Sequence, residues 1–322
     1  MKRAPQSVRI GYFGKLPSRG DFIKATNNLA LANLLDGWLA EVMNQLSTDP
    51  RWKINYDAMH PVQFAFVGTR SRRAIAGHLA ASSDASQRRY PFLSMTAIEI
   101  DTPRTFLSLS PVVLAPLWCA LESLAADVLD ADDPDPALQQ LAATTFDIEP
   151  GAAEHETAFV DFLDRHNIAS LEAMLGRDSA RHMILAVGLL MQPVRRSGAG
   201  RLDKSLVLPL PASARQRYLV AAFWLDLIVS FLHQADFELA LFFADIGGQP
   251  SLVIGFGGAA PEALQAIIDP ECAADHQINF DHAGWVDELI ASDAGVQKLS
   301  AYLEQKQLSL RSAQALFHET FV

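Results

Sequence analysis

Cysteine is almost missing. Two residues, Cys119 and Cys272, stand in a chain of 322. Two thiols cannot build a disulfide framework, and such a chain suits a reducing compartment. Basic charge is the scarcer sign, with 26 Lys and Arg against 37 Asp and Glu and a net charge of −11. A surface of that sign repels a phosphate backbone, which excludes general nucleic-acid binding away from a local basic patch. Long apolar runs are also lacking. The most apolar stretch, Leu219 to Leu232, has about 14 residues where roughly 20 are needed to cross a bilayer, and Asp226 interrupts it. The run Pro111 to Leu129 approaches that length but carries Glu122, Asp127 and two prolines. At the N-terminus, polar residues and Pro5 follow the basic start where an export signal needs an apolar run. The expectation is a cytoplasmic protein with no membrane insertion.

What is present suits a folded protein: 50% hydrophobic and 20% charged residues, outside the disordered and collagen-like classes. The length exceeds the roughly 250–300 residues at which single cores stop growing, so two domains are expected.

Val8 to Phe13 alternates apolar with small or polar residues and ends at Gly14, as a strand entering a loop does. Leu31, Leu34, Leu35, Trp38, Val42 and Leu46 recur at helical spacing, with Asn27 or Asn28 placed to cap. Val62–Val67, Ala74–Leu79 and Tyr90–Ile100 read as strands, the first two joined by an arginine-rich turn. Helix is expected from about Val112 to Leu129. Asp130 to Pro136 is acidic and proline-bearing, the composition of an extended linker. Ala137 to Arg181 reads as surface helices. Met183–Met191 and Ser205–Leu210 read as strands around a basic loop, Arg195 to Arg201. A nearly all-apolar helix spans Arg215 to His233. Glu238–Asp245 and Ser251–Gly257 make a hairpin, and Pro261 opens a helix to Ile268. The fold class is α+β: two mixed domains with largely antiparallel sheets and helices packed on them. The divisions are 1–130, an acidic linker and helical connection at 131–181, and 182–322. A long helix, a hairpin and another helix occur in each half, the pattern of a diverged duplication or of ordinary α+β construction.

Catalytic motifs are scarce. Gly14-Lys15-Leu16 lacks the earlier glycine and the hydroxyl of a phosphate-binding loop, since Arg9 and Leu16 occupy those places. Gly255-Phe256-Gly257-Gly258 lacks dinucleotide spacing. Glu154-His155-Glu156 and His276…Asp281-His282 lack the spacing that puts two imidazoles on one helix face. No Gly-x-Ser-x-Gly elbow exists. The reading is no catalytic residue, no metal and no cofactor.

Two segments remain. In Gly14 to Phe22, two glycines and Pro17 shape a loop that carries Lys15, Arg19 and Asp21. In Asp84 to Phe92, Arg88 and Arg89 precede Tyr90 and Pro91; guanidinium groups there suit bidentate binding of carboxylate or phosphate. Gly11-Tyr12-Phe13-Gly14-Lys15-Leu16-Pro17-Ser18-Arg19-Gly20-Asp21-Phe22 resembles the N-terminal signature of the TagF (ImpM) family of type VI secretion accessory proteins, G-[WY]-[YF]-G-K-x-P-x-x-G-D-F. Asp84, Arg88, Tyr90 and Pro91 are in step with a second family pattern, D-R-V-G-R-x-[FY]-P. Ala85, Ser86 and Gln87 depart from it, and Gln87 replaces a glycine. The resemblance covers roughly the first 130 residues.

The resemblance implies a non-enzymatic regulator. It would repress assembly of the secretion apparatus after translation by binding a forkhead-associated scaffold protein. Lys15, Pro17, Arg19, Asp21, Phe22, Arg88, Arg89 and Tyr90 would form the partner surface, the cations steering and the aromatics anchoring. Two alternatives are a structural component of the machinery and a hydrolase with its site near Asp226, His233 and His282.

Overall fold

The computed structural model describes residues 5–151, 153–197, 202–232, 236–280 and 284–322. The first strand expected from the sequence is two strands, β1 (Gln6–Arg9) and β2 (Gly11–Gly14), followed by β3 (Ile23–Ala25) and helix α1 (Leu29–Leu46). The Asn28 side chain caps α1 by accepting from Leu31 N at 3.0 Å. A short α2 (Trp52–Asp57) leads to β4 (Val62–Gly68), β5 (Arg73–Ala80) and β6 (Phe92–Glu99). Helix α3 (Pro103–Leu129) begins nine residues before the expected start at Val112, because Pro103 suits a first helical position and Pro111 and Pro116 are carried inside the helix.

The acidic stretch is a short connection to α4 (Asp135–Ala143). After it come β7 (Thr145–Ile148), α5 (Ala153–Arg165) and α6 (Ile168–Leu175). Strand β7 was not expected; it pairs antiparallel with β1 in a two-stranded sheet. The expected strand Met183–Met191 lies inside helix α7 (Ala180–Ser197). Met183 to Val187 are all fully buried, and a helix packed on most sides gives the same unbroken apolar run as a buried strand. The loop placed at Arg195–Arg201 therefore starts within α7, and 198–201 lie outside the described residues. The chain continues through β8 (Ser205–Pro209), α8 (Ala214–Val229), β9 (Glu238–Ile246), β10 (Gln249–Gly255) and α9 (Pro261–Ile268). It ends with α10 (Pro270–His276), β11 (Gln277–Asn279), α11 (Trp285–Ile290), α12 (Ala294–Leu303) and α13 (Leu310–Phe321).

Nine strands form one sheet in the order β11-β8-β10-β9-β4-β5-β6-β2-β3, antiparallel throughout except for the parallel β11–β8 pair. The class is α+β. Strand β4 from the first part pairs with β9 from the second over six residues, Gln63↔Phe243 to Gly68↔Glu238. The expected division between 130 and 182 is therefore no boundary of the sheet. All seven residues of β4 are buried, as a strand covered on both faces requires. Phe64 and Phe66 point to the α1 and α9 side. Ala65 and Val67 point to the side of α3 and α8.

Each face has its own core. On one, Trp38 of α1 meets Phe64, Phe66 and Phe242 with ring centroids 5.8, 5.1 and 6.2 Å away. Such aromatic pairs are worth about 0.5–1.5 kcal/mol each beyond area burial, and the Trp38–Phe242 pair joins the two halves. On the other, Trp118 of α3 donates its indole N–H to the Phe64 carbonyl at 3.0 Å and packs 4.8 Å from Phe243. Helix α3 is long and apolar enough to cross a membrane by length and composition alone; in this fold Leu114, Leu117, Trp118 and Leu121 are buried on the sheet. Outward from the β4–β9 pair the halves run β5, β6, β2, β3 and β10, β8, β11, and α1 and α8 lie on opposite faces. The halves are not a duplication.

Candidate functional site

The two signature segments meet at the edge of the sheet. Gly14 ends β2 with φ +136, and a Cβ there would overlap the Pro91 carbonyl oxygen. Glycine is thus what lets the first loop lie against the second. Leu16 is fully buried beneath the loop. Ser82 Oγ donates to the Lys15 carbonyl at 2.7 Å. Tyr56 OH donates to the Ser82 carbonyl at 2.9 Å and accepts from Ser82 N at 3.0 Å. Ala85 N donates to the Arg19 carbonyl at 2.8 Å, and the Arg88 guanidinium donates to the Gly20 carbonyl at 2.9 Å.

Asp84 is the hub. Its carboxylate has no solvent exposure and takes Lys15 Nζ at 3.0 Å and Arg88 Nε at 2.7 Å. It also accepts from the backbone N–H groups of Ser86, 2.9 Å, and Arg88, 3.0 Å. Burial alone would raise this carboxyl. The hydrogen bonds from Arg88 N, Lys15, the Arg88 side chain and Ser86 N outweigh it and hold the group well below the usual carboxylate range. Gln87 closes the turn with φ +61. The glycine-less loop keeps the left-handed backbone that glycine would supply, with glutamine held in it.

The other cations are also paired. Arg19 reaches Asp135 at 2.5 Å and Asp133 at 3.8 Å. Arg89 holds Asp57 with two bonds, 2.7 and 2.5 Å, and the Arg89 hydrogen bond keeps that carboxyl below its ordinary value. Tyr90 OH donates to Asp36 Oδ1 at 2.5 Å; burial first, and the Asp36 bond after it, push the phenol up. Phe22 packs on Phe13 and Tyr90 with ring centroids 6.0 and 5.4 Å apart, yet stays 44% exposed. Lys15, Arg19, Arg88 and Arg89, expected as free steering charges, are therefore drawn into ion pairs within the chain. The structure brings all eight expected residues to one region. What the sequence did not indicate is the set of acidic partners: Asp36 of α1 for the Tyr90 hydroxyl, and Asp57, Asp133 and Asp135 from α2 and the connection into α4 for the cations. Only Asp84, four residues before Arg88, carried a local signal.

Outward from the knot point Pro17, Gly20, Asp21 and Phe22, beside exposed Ala85, Ser86 and Gln87. A cleft of about 420 Å³ opens next to them between Pro17, Tyr56, Ser82, Gln87, Arg89 and Leu129. Asp21 has no hydrogen bond or ion pair among the described residues, and a Cβ at Gly20 would meet nothing within 4 Å.

Residues 11–145 match the TagF N-terminal domain, described as type VI secretion system-associated. This stretch is a TagF N-terminal domain. It begins at the first signature glycine and runs through the acidic stretch, so the carboxylates that hold Arg19 belong to the TagF domain itself. The protein is associated with type VI secretion. Among solved structures, the crystal structure of PA0076 from Pseudomonas aeruginosa PAO1 is similar at 23% identity, over 42% of this chain and 61% of that chain, with a TM-score of 0.36. The aligned region is thus less than two thirds of that protein. No curated protein matches the chain.

In the second half, His233 and His282 lie outside the described residues. Asp226 accepts from Gln314 Nε2 at 2.5 Å and lies 3.6 Å from His318 Nε2, joining α8 to α13. Burial pushes its carboxyl above the usual range. Among the described residues, no three His, Cys, Asp or Glu side chains gather as a metal site.

Proposed function

We propose that this protein is a non-enzymatic accessory regulator of type VI secretion. It represses assembly of the apparatus from the cytoplasm by binding a forkhead-associated scaffold protein. The TagF domain at 11–145 supports the secretion context. One observation carries the binding surface. Gly14, Lys15 and Leu16 of the signature are used by the fold, whereas Gly20, whose carbonyl accepts from Arg88, has open space where a side chain would stand, and exposed Asp21 has no side-chain partner among the described residues. A glycine with open space around it costs backbone entropy for no intramolecular gain. A partner approaching the backbone closely at Gly20 supplies the reason, with Asp21 and Phe22 as the polar and apolar contacts.

The test is capture of the scaffold protein by the purified chain. Gly20→Glu combined with Asp21→Lys is expected to weaken capture at least about tenfold, in line with loss of a central contact, with the melting temperature unchanged. Lys15→Glu is expected to lower stability instead, since it places a second carboxylate against buried Asp84. Undiminished capture by the folded Gly20/Asp21 variant refutes this surface, and failure of the wild-type chain to bind refutes the partner.

A further inference from the structure

Helix α1 has two unlike faces. Leu31, Leu35, Trp38, Leu39, Val42 and Leu46 are buried on the sheet. The opposite stripe, Ala30, Asn33, Leu34, Gly37, Ala40, Glu41 and Asn44, is exposed. A surface helix ordinarily puts charged residues there, but this stripe holds a single charge, Glu41. Leu34 is 55% exposed and Leu29, at the start of the helix, 64%. Gly37 sits mid-helix, where glycine costs about 1 kcal/mol relative to alanine. A Cβ at that position would meet nothing within 4 Å, so the chain's own packing does not call for it.

Two opposite charges border the stripe, each outside any ion pair among the described residues. Lys24 Nζ, on β3, donates to Asn33 Oδ1 at 2.8 Å, which stations the ammonium beside the stripe. Glu41 accepts only from Gln45, at 3.4 Å. Neither forms an ion pair among the described residues.

We infer that the exposed face of α1 is the contact of a two-fold homodimer, in which α1 packs antiparallel on α1 of a second copy with Gly37 at the axis. In that arrangement Leu34 seats against Ala40 of the second copy. Asn33, and with it Lys24, faces Glu41 of the second copy, and the same pairs recur across the axis. One surface is thus complementary to itself in shape and in charge, as a closed two-fold interface must be. Glycine at the crossing lets the helices approach closer than the usual 8–10 Å between axes. The Lys24–Glu41 pairs, being at the rim, contribute little energy and fix the register. Eighteen residues of helix span about 27 Å, which covers less than a standard interface, so the dimer is a weak, concentration-dependent one.

Sedimentation equilibrium of the full chain over a concentration series tests this. The wild type is expected to pass from monomer to dimer. Leu34→Glu and Gly37→Leu are each expected to raise the dissociation constant at least about tenfold without lowering the melting temperature, which the better helix former at 37 should raise slightly. Glu41→Lys is expected to weaken the dimer, and Glu41→Lys with Lys24→Glu to restore it. The inference is overturned by a chain that stays monomeric throughout, or by a dimer indifferent to Leu34→Glu and Gly37→Leu. It is equally overturned if the chain is monomeric and Leu34→Glu instead abolishes scaffold capture, which would give the face to that partner.

Discussion

Gln87 is the one non-glycine residue with positive φ among those described. A left-handed backbone costs an L-residue with a Cβ about 1–2 kcal/mol, while glycine gives back about 0.5–1 kcal/mol in the unfolded chain. Gln87→Gly is therefore expected to stabilise the protein by about 0.5 kcal/mol, read as a small rise in the denaturation midpoint; a loss of stability would mean that the turn does not hold this backbone. The loop keeps its shape despite the changed residues because Asp84 organises it. Its carboxylate gathers two cations and two backbone N–H groups whether or not residue 87 is glycine. At this scale the sequence disclosed the cations and the aromatics of the site. It did not disclose their counter-charges, because Asp57 and Asp135 are brought in by tertiary packing, and spacing along the chain carries no trace of that.

Elements with a one-sided pattern were legible. The α1 stripe (except Leu34, which the pattern placed on the core face and the fold leaves 55% exposed), the β9–β10 hairpin and the proline start of α9 stand where their patterns put them. Elements apolar on every side were not, since α7 and a buried strand share one signature. Under α3 the sheet carries a row of partners across four strands: Tyr12, Ser94, His78 and Gln63. His78 is buried with no hydrogen-bond partner on either ring nitrogen among the described residues, and burial lowers its pKa to about 4 from 6.5. The unfolded chain thus binds a proton that the folded chain refuses. The stability that neutral His78 brings is complete above about pH 6.5, is lost as pH falls toward 4, and levels off below that, for a total of about 3 kcal/mol. The His78→Gln variant is expected to lack this slope, so the difference between wild-type and variant unfolding free energies changes by about 3 kcal/mol between pH 6.5 and 4. Equal slopes between pH 6.5 and 4 would mean that His78 is protonated in the fold.

For the whole molecule, composition and patterning gave the α+β class but not the joining of the halves. The length suggested two cores, and so did an acidic, proline-bearing stretch in the middle. The cores exist, yet they are the two faces of one sheet, and each takes residues from both halves. The β4–β9 pairing is a long-range choice between two apolar strands that no local pattern encodes. With that pair at the centre, the halves are expected to unfold together. Tryptophan fluorescence and far-UV circular dichroism should give coincident denaturant transitions, whereas two separated transitions would mean that the β4–β9 seam is weak.

The proposed function requires a protein partner that grips Gly20, Asp21 and Phe22 rather than chemistry in a cleft. The most direct measurement is a calorimetric titration of the full chain with the forkhead-associated scaffold of the same secretion system. The account predicts saturable binding by the wild type and, for the folded Gly20→Glu/Asp21→Lys variant, affinity lower by at least about tenfold. Equal affinity of the two proteins, or no heat of binding for either, would contradict it.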